Sequence, residues 1–272
     1  LSTLIYTSGT TGNPKGVMLT HENILSNIDA IHNMYEINGD NKKSFSILPW
    51  AHIYGMTCEL YYNLLNNNNM AICDNKDNFI KDCRVIRPTN LYLVPRVLDT
   101  IKNKVEFLNK PIINEIIPYA INYLFGNNLE SIFVGGAKLN NNTKLFFDKN
   151  NIILNEGYGC SETSPIISLN HTLCPRNTSS IGKIIDNVDV QIINNEICVS
   201  GPNVMKGYWN NEKATLDAFI EYNGQKYYKT GDSGFKCGNN FLFYNGRISE
   251  NYKLNNGKFV NVDELESKIK KK

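Results

Sequence analysis

Apolar and polar positions follow two rhythms along the chain. Over residues 1–178, short apolar runs alternate with stretches of helical spacing. The run Leu4-Ile5-Tyr6 predicts a buried strand. Leu19, Ile24, Leu25, Ile28 and Ile31 recur at near-helical intervals and predict a helix over Leu19–Met34, with Thr20 as N-cap, Asn23 at N3 and a break at Asn38-Gly39-Asp40. Strands follow over Phe45–Leu48, Met70–Cys73, Asn90–Val94, Ser131–Val134 and Ile152–Leu154. Helices are expected over Asn78–Ile86, Val97–Leu108, Pro111–Phe125 and Thr143–Lys149. From Ser179 the texture becomes short β-like pieces, Asp189–Ile193, Glu196–Val199, Lys226–Lys229 and Phe241–Tyr244, separated by turn residues. That spacing predicts a small β-barrel-like subdomain over residues 179–249. Residues 250–272 open another segment, with a helix beginning at Val262.

Composition narrows the function classes. A chain of 272 residues buries a sizeable core in one or two domains. A net charge of +2 argues against a nucleic-acid partner, and the basic Lys268–Lys272 end reads as a solvated helix end or a cut edge. Seven cysteines without a C-x-x-C pair fit reduced, intracellular thiols better than a disulfide framework or a zinc site. No apolar run approaches the ~18 residues of a membrane span. The chain begins at Leu1 rather than Met, so a fragment is expected, whose targeting signal can lie elsewhere.

The densest chemistry lies at Thr7–Gly16, T-S-G-T-T-G-N-P-K-G. Glycines allow close approach of the backbone to a ligand. Thr7, Ser8, Thr10 and Thr11 supply hydroxyls and Lys15 a point charge. Read as strand, glycine-rich loop and helix, this is a phosphate-holding arrangement. It is not a Walker A loop, because Gly16 follows Lys15 where a Ser or Thr would be needed. A second concentration is Asn155–Pro165, where Tyr158 offers a flat face, Ser161 a hydroxyl and Glu162 a hard oxygen of the kind Mg²⁺ takes together with phosphate. Gly135-Gly136-Ala137 reads either as a tight turn or as main chain against which a flat base can lie.

In order, these stretches resemble the signatures of the adenylate-forming (AMP-binding) superfamily, which holds acyl-CoA synthetases, luciferases and nonribosomal adenylation domains. The opening loop resembles its phosphate-binding signature, Leu48–Gly55 its L-P-x-A-H-x-aromatic segment, and Ser131–Leu139 its G-G-A turn. Asn155–Pro165 resembles Y-G-x-[ST]-E, Gly201–Trp209 resembles G-P-x-x-M-x-G-Y, Tyr228–Asp232 resembles [WY]-x-T-G-D, and Gly246–Glu250 resembles G-R-x-K-D. Lys253–Val260 resembles the K-L-x-x-G run of long-chain fatty acyl-CoA and acyl-ACP synthetases, although strand, turn and strand explain it equally well.

The resemblance implies an α/β fold: a layered, parallel-type sheet with flanking helices and nucleotide- and acyl-binding residues over 1–178, the barrel-like part over 179–249, and the hinge and truncated start of a mobile domain over 250–272. It implies ATP, Mg²⁺ and CoA, with a fatty acid activated as acyl-adenylate and passed to CoA. Thr7, Ser8, Gly9, Thr10, Thr11, Gly12 and Lys15 would hold the phosphates, and Gly135, Gly136, Ala137, Tyr158, Gly159 and Ser161 would border the nucleotide. Glu162 would hold the metal, Asp232 the ribose hydroxyls, Arg247 ribose or α-phosphate, and His52 and Tyr54 the acid. Lys15, Glu162 and Arg247 are thus the expected catalytic groups. Ser249 and Glu250 depart from the usual Lys and Asp. An intracellular location, cytoplasmic or peripheral to a membrane, is expected. The rivals are an acyl-ACP synthetase, another acid-activating enzyme or luciferase-like oxidase, and a non-catalytic nucleotide binder. The resemblance implies that the start of the large domain and the adenylating Lys of the mobile domain lie outside this sequence, so this piece alone is expected to be weak or inactive.

Overall fold

A computed structural model describes residues 1–8, 13–35, 42–106, 116–152, 154–171, 177, 179–238, 240–253 and 259–261. The chain opens with β1 (Thr3–Ser8) and β2 (Pro14–Leu19), followed by α1 (His21–Tyr35) and β3 (Lys43–Ser46). A π-helical stretch, Tyr54–Tyr61, runs into α2 (Tyr62–Leu65). Then come β4 (Asn69–Ile72), α3 (Phe79–Ile86), β5 (Asn90–Leu93), α4 (Pro95–Glu106) and α5 (Ile117–Leu124). They are followed by β6 (Ser131–Val134), α6 (Asn141–Lys149), β7 (Leu154–Gly159) and β8 (Ile166–Asn170). The later part holds β9 (Lys183–Ile184), β10 (Asp189–Ile193), β11 (Glu196–Ser200), β12 (Gly207–Tyr208) and α7 (Glu212–Asp217). It continues through β13 (Phe219–Tyr222), β14 (Gln225–Cys237), β15 (Phe241–Arg247), β16 (Asn251–Lys253) and β17 (Phe259–Asn261).

Strands β4, β3, β5, β6 and β7 lie side by side and parallel, as the alternation of strands and helices predicts. Alternate residues of these strands face opposite layers. Phe45, Leu91, Leu93, Ile132, Val134 and Leu154 pack against Phe79, Leu98, Ile121 and Phe147 from α3 to α6. On the other side Tyr92 and Phe133 stack, with ring centres 4.9 Å apart, and join Ile24, Ile28 and Ile31 of α1 with Met56 and Tyr62.

Two expectations are corrected. The strands after Ser179 do not close into a barrel among the described residues. β7 turns back antiparallel into β8, β8 pairs with β9, and β9 with β15, so β15, β14, β11 and β10 extend the same twelve-stranded open sheet. Its hairpins are set by residues that accept positive φ. Asn194 and Asn195 (φ 52° and 68°) join β10 to β11, and Asn223-Gly224 (50° and 75°) join β13 to β14. The second correction concerns the opening loop. Between it and the expected helix an unpredicted strand intervenes: β2 pairs antiparallel with β1, bringing Thr7 opposite Lys15. Its other edge pairs with β12, setting Val17 against Tyr208. Lys15 therefore stands on a hairpin rather than at a helix N-terminus. Gly16 permits the packing, since a Cβ there would lie 3.3 Å from the Tyr6 ring and 3.4 Å from Trp209.

The helix α1 spans His21–Tyr35 against the expected Leu19–Met34, with Thr20 as its N-cap as expected, and the cap is reciprocal. The Asn23 backbone N–H donates to Thr20 Oγ1 (3.1 Å) while the Thr20 N–H donates to Asn23 Oδ1 (2.8 Å), so Asn takes the part usually played by Glu or Gln. The predicted break at 38–40 and the helix from Val262 lie outside the described residues. Within Lys253–Val260, residues 254–258 do too, but the flanking strands β16 and β17 pair antiparallel, Tyr252 opposite Val260. Among the described residues, no helix is long and apolar enough to cross a membrane.

Candidate active site

The carboxyl ends of β5, β6 and β7 open onto a cavity of about 1420 Å³. A cleft outside the carboxyl ends of parallel strands is the usual ligand position in α/β sheets. Its walls come from distant stretches: the β1–β2 hairpin, the 48–55 segment, the turn after β6, the turn after β7, the β12–α7 junction and the ends of β14 and β15. Thr7, Lys15, His52, Tyr54, Gly135, Gly136, Gly159, Ser161, Glu162 and Arg247, all singled out from sequence, line this one cavity. Gly9, Thr10, Thr11 and Gly12 lie outside the described residues. Ser8 ends β1 beside Thr7.

Glu162 sits on a single 3₁₀ turn, Ser161–Thr163, between β7 and β8. Several polar contacts fix that turn. Thr163 Oγ1 donates to Pro165 O (2.6 Å) and Met205 N donates to Glu162 O (2.8 Å). The fully buried Asn27 clasps Ile166 twice, its Nδ2 donating to Ile166 O (2.8 Å) and its Oδ1 accepting from Ile166 N (3.2 Å). Asn203 Nδ2 adds a bond to Thr163 O (3.0 Å). Because Asn27 is buried among groups that no water reaches, its loss strands a backbone N–H. Asn27→Leu is expected to lower unfolding free energy by about 2–3 kcal/mol in urea titration, and an unchanged midpoint would show that the clasp carries no weight.

The Glu162 side chain is nearly buried and faces the cavity. Its Oε1 accepts from Tyr208 OH at 2.8 Å, and the Tyr208 ring lies under Lys15 Nζ at 5.1 Å. Lys15, Tyr208 and Glu162 thus form one cation–ring–carboxylate stack on the cavity wall. Burial, then the neighbouring Glu162 carboxylate, pushes the Tyr208 hydroxyl well above its ordinary pKa, so it stays a donor. Cys160 lines the same wall. Burial first and Glu162 second push its thiol up, so it is uncharged and a poor nucleophile.

Asp232 and Tyr158 stand behind this wall. Tyr158 OH donates to Asp232 Oδ2 at 2.7 Å, and Arg247 forms an ion pair with Asp232, its Nε 3.1 Å from Oδ1. Arg247 also donates through an NH₂ nitrogen to Thr230 O at 3.0 Å. Burial alone would lower the Arg247 pKa, but the Asp232 carboxylate beside it raises the group above its ordinary value. Burial and Asp232 likewise push the Tyr158 hydroxyl up. The Asp232 carboxylate is therefore held in place by a hydroxyl donor and a cation. The Tyr158 ring leans toward Tyr244, centres 6.1 Å apart, and packs on the core of the later strands. Ala137 is exposed next to the turn and is not among the lining residues.

Three glycines are explained by space. A Cβ on Gly159 would fall 1.7 Å from Pro165 O, one on Gly135 would meet the Tyr54 ring at 3.3 Å, and Gly136 has φ +80°. Residues that sequence reading left out also line the cavity: Tyr208, Asn13, Lys213, Lys229 and Glu196. The resemblance of Gly201–Trp209 to G-P-x-x-M-x-G-Y carries no hint of the Tyr208–Glu162 contact. Four cations, Lys15, Lys213, Lys229 and Arg247, face three carboxylates, Glu162, Glu196 and Asp217. Glu196 accepts from Gly231 N (2.8 Å). Among the described residues no cluster of three or more His, Cys, Asp or Glu forms a cage for a metal ion. Glu162 on the wall of this open, cation-rimmed cavity suits Mg²⁺, which is bound through one or two carboxylates plus substrate phosphates and water.

The family model described as AMP-binding enzyme matches residues 1–209. A long-chain-fatty-acid–CoA ligase of Bacillus subtilis is 31% identical over 260 residues, covering 89% of this chain and 43% of that protein. Fatty acyl-CoA synthetase B of Dictyostelium discoideum is 26% identical, covering 100% and 46%, and the probable 4-coumarate–CoA ligase 2 of the same organism is 29% identical, covering 90% and 44%. The chain spans less than half the length of these three relatives. Among solved structures, ATP-bound MatB of Rhodopseudomonas palustris superposes with TM-score 0.81 at 24% identity, covering 98% of this chain and 52% of that one. O-succinylbenzoate coenzyme A synthetase (MenE) of B. subtilis, in complex with ATP and magnesium ion, does so with TM-score 0.78 at 23% identity, covering 97% and 53%. At that identity the two structures speak for the fold.

Proposed function

The chain belongs to the AMP-binding enzyme family, and from that premise we propose that the intact protein is an acid–thiol ligase, which activates a fatty acid with ATP and transfers it to CoA. In this reading a carboxylate attacks the α-phosphorus of ATP, releasing pyrophosphate and leaving an acyl-adenylate, and the CoA thiol then displaces AMP. The observation that carries it is the convergence of Lys15, Glu162 and Arg247, far apart in sequence, on one cavity.

Each residue has a part that its position allows. Lys15 and Thr7, opposed across the hairpin, bind the phosphate tail, and Lys15 offsets the charge of the leaving pyrophosphate. Tyr208 keeps Glu162 aimed into the cavity, and Glu162 would hold Mg²⁺ there, the ion supplying neutralisation of phosphate charge when bound. Arg247, fixed by Asp232, reaches the α-phosphate or ribose, and Asp232 accepts from the ribose hydroxyls. Gly135 and Gly136 let a purine lie close to the main chain. His52 and Tyr54 orient the acid, on the wall formed by the 48–55 segment. Little covalent chemistry falls to the protein, and positioning with charge neutralisation supplies the rate.

The fatty acyl assignment draws on the fatty-acid ligases among the relatives. An aromatic acid is the second reading, favoured by the 4-coumarate ligase at nearly the same identity. ATP–pyrophosphate exchange by the intact protein, over a panel of fatty, aromatic and amino acids, separates them. Exchange with fatty acids is expected. Exchange confined to aromatic or amino acids would replace the fatty acyl reading, and none with any acid would leave a nucleotide-binding protein without this activity.

A further inference from the structure

Glu59 is a carboxyl group with no exposure to solvent, one turn deeper than the cavity-lining Gly55 on the π-helical stretch. A buried carboxyl costs stability unless it is hydrogen-bonded. Its bonding is directional. Trp50 Nε1 donates to Ser46 Oγ at 3.1 Å, and because that oxygen is occupied as an acceptor, the Ser46 hydroxyl proton is turned to Glu59 Oε2 at 2.7 Å. Ser44 Oγ stands farther off, 3.5 Å from Oε1. Asn63 Nδ2 ties the helix backbone at Glu59 O (2.7 Å).

The chain Trp50–Ser46–Glu59 joins three elements: the helix, β3 and the loop at 47–53. That loop also carries Leu48, Pro49 and His52 on the cavity wall. Loop and helix are pressed together at a second point, where a Cβ on Gly55 would lie 2.9 Å from Pro49 O. His52 N donates to Pro49 O at 3.0 Å, and Met56 N to His52 O at 2.9 Å, so loop and helix form one unit. π-type turns, costly in themselves, recur at functional sites.

We propose that Glu59 is a positioning residue: through Ser46 and Trp50 it holds the loop that carries His52, and so sets the geometry of the acid-binding end of the cavity. The nature of the acid rests on the ligase reading above, whereas the anchor itself does not. Titratable groups on the surrounding elements are Cys58, Tyr61 and Tyr62 on the helix and its continuation, Lys43 on β3, and His32 on α1. Lys43 Nζ donates to Ile86 O (3.2 Å), and His32 Nδ1 lies 3.5 Å from Tyr62 OH. Burial and Glu59 keep the Cys58 thiol protonated. Burial raises the Glu59 pKa from its ordinary 4.5 to about 7, against the lowering effect of the polar hydrogens around it, foremost that of the Ser46 hydroxyl. The native protein therefore retains a proton that the unfolded chain releases. The associated stability is complete below pH 4.5 and is lost as pH rises through about 7. Glu59→Gln has no proton to lose and should gain in Tm on the wild type from about pH 5 to about pH 8.

Two measurements on the intact protein test the anchor. The first is ¹⁹F NMR with 5-fluorotryptophan, the Trp50 signal assigned by Trp50→Phe. In the wild type the signal should move with a midpoint near the Glu59 pKa, and in Glu59→Gln it should not. The second is exchange kinetics. Ser46→Ala and Glu59→Ala should raise KM for the acid about tenfold, with KM for ATP within about twofold of wild type and with Glu59→Gln restoring most of the loss. A Trp50 signal indifferent to both pH and Glu59, or a wild-type KM for the acid in Ser46→Ala, would overturn the proposal. Absence of exchange with every acid would instead remove the ligase reading, and the NMR titration would still decide the anchor.

Discussion

Glu162→Gln is expected to lower ATP–pyrophosphate exchange by about 10²–10³-fold while the protein stays folded. The substitution keeps side-chain shape and an oxygen for the Tyr208 hydroxyl, so the 2.8 Å contact can persist. What it removes is the negative charge, which strengthens an oxygen ligand's hold on Mg²⁺. The Asn27, Asn203 and Met205 bonds that fix the 3₁₀ turn do not involve the side-chain carboxylate and should hold. A loss of exchange with preserved thermal unfolding, eased by higher Mg²⁺ concentration, would assign the loss to the metal. Wild-type exchange in the variant would remove Glu162 from that part. Tyr208→Phe should act in the same direction but less strongly, because the carboxylate remains and only its orienting donor is lost.

Gly159→Ala should be the most damaging single methyl in the site. The added Cβ would fall 1.7 Å from Pro165 O, a backbone atom that cannot swing away. Either β7 and the start of β8 separate, or the turn carrying Ser161 and Glu162 is displaced. Overpacking of this kind costs about 3 kcal/mol or more. In a chain of this size that lowers Tm by roughly 6–12 °C. Gly238→Ala is the control: nothing lies within 4 Å of a Cβ there, and the glycine is exposed. Thermal unfolding of both variants checks the pair. Equal Tm values would mean that the close approach at Gly159 relaxes without cost.

The parallel half of the sheet was readable because each strand is a contiguous apolar run with a helix after it. The chemistry at Lys15, Glu162 and Arg247 was readable because each stands inside a short stretch of unusual residue order. What escaped reading is set by partners distant in sequence. The junction at β9 and β15, where the later strands join the same sheet, depends on pairings such as Phe241 with Lys183, which no local pattern announces. The run Pro14–Leu19 forms a strand because β1 lies on one side and β12 on the other. Tyr208 reaches Glu162 only through that β2–β12 pairing. A π-helical stretch does not follow a 3.6-residue template, and the burial of Glu59 within it depends on packing against β3, which lies outside its own local pattern.

Separate loops are proposed to converge on one nucleotide, with its phosphates along the β1–β2 hairpin. A crystal structure of the intact protein with a non-hydrolysable acyl-adenylate analogue decides this. The analogue's phosphate-like group is expected between the hairpin and Arg247, its ribose within about 3 Å of Asp232, and its acyl end beside His52 and Tyr54. An analogue bound elsewhere, with Lys15, Glu162 and Asp232 all away from it, would rule the convergence out.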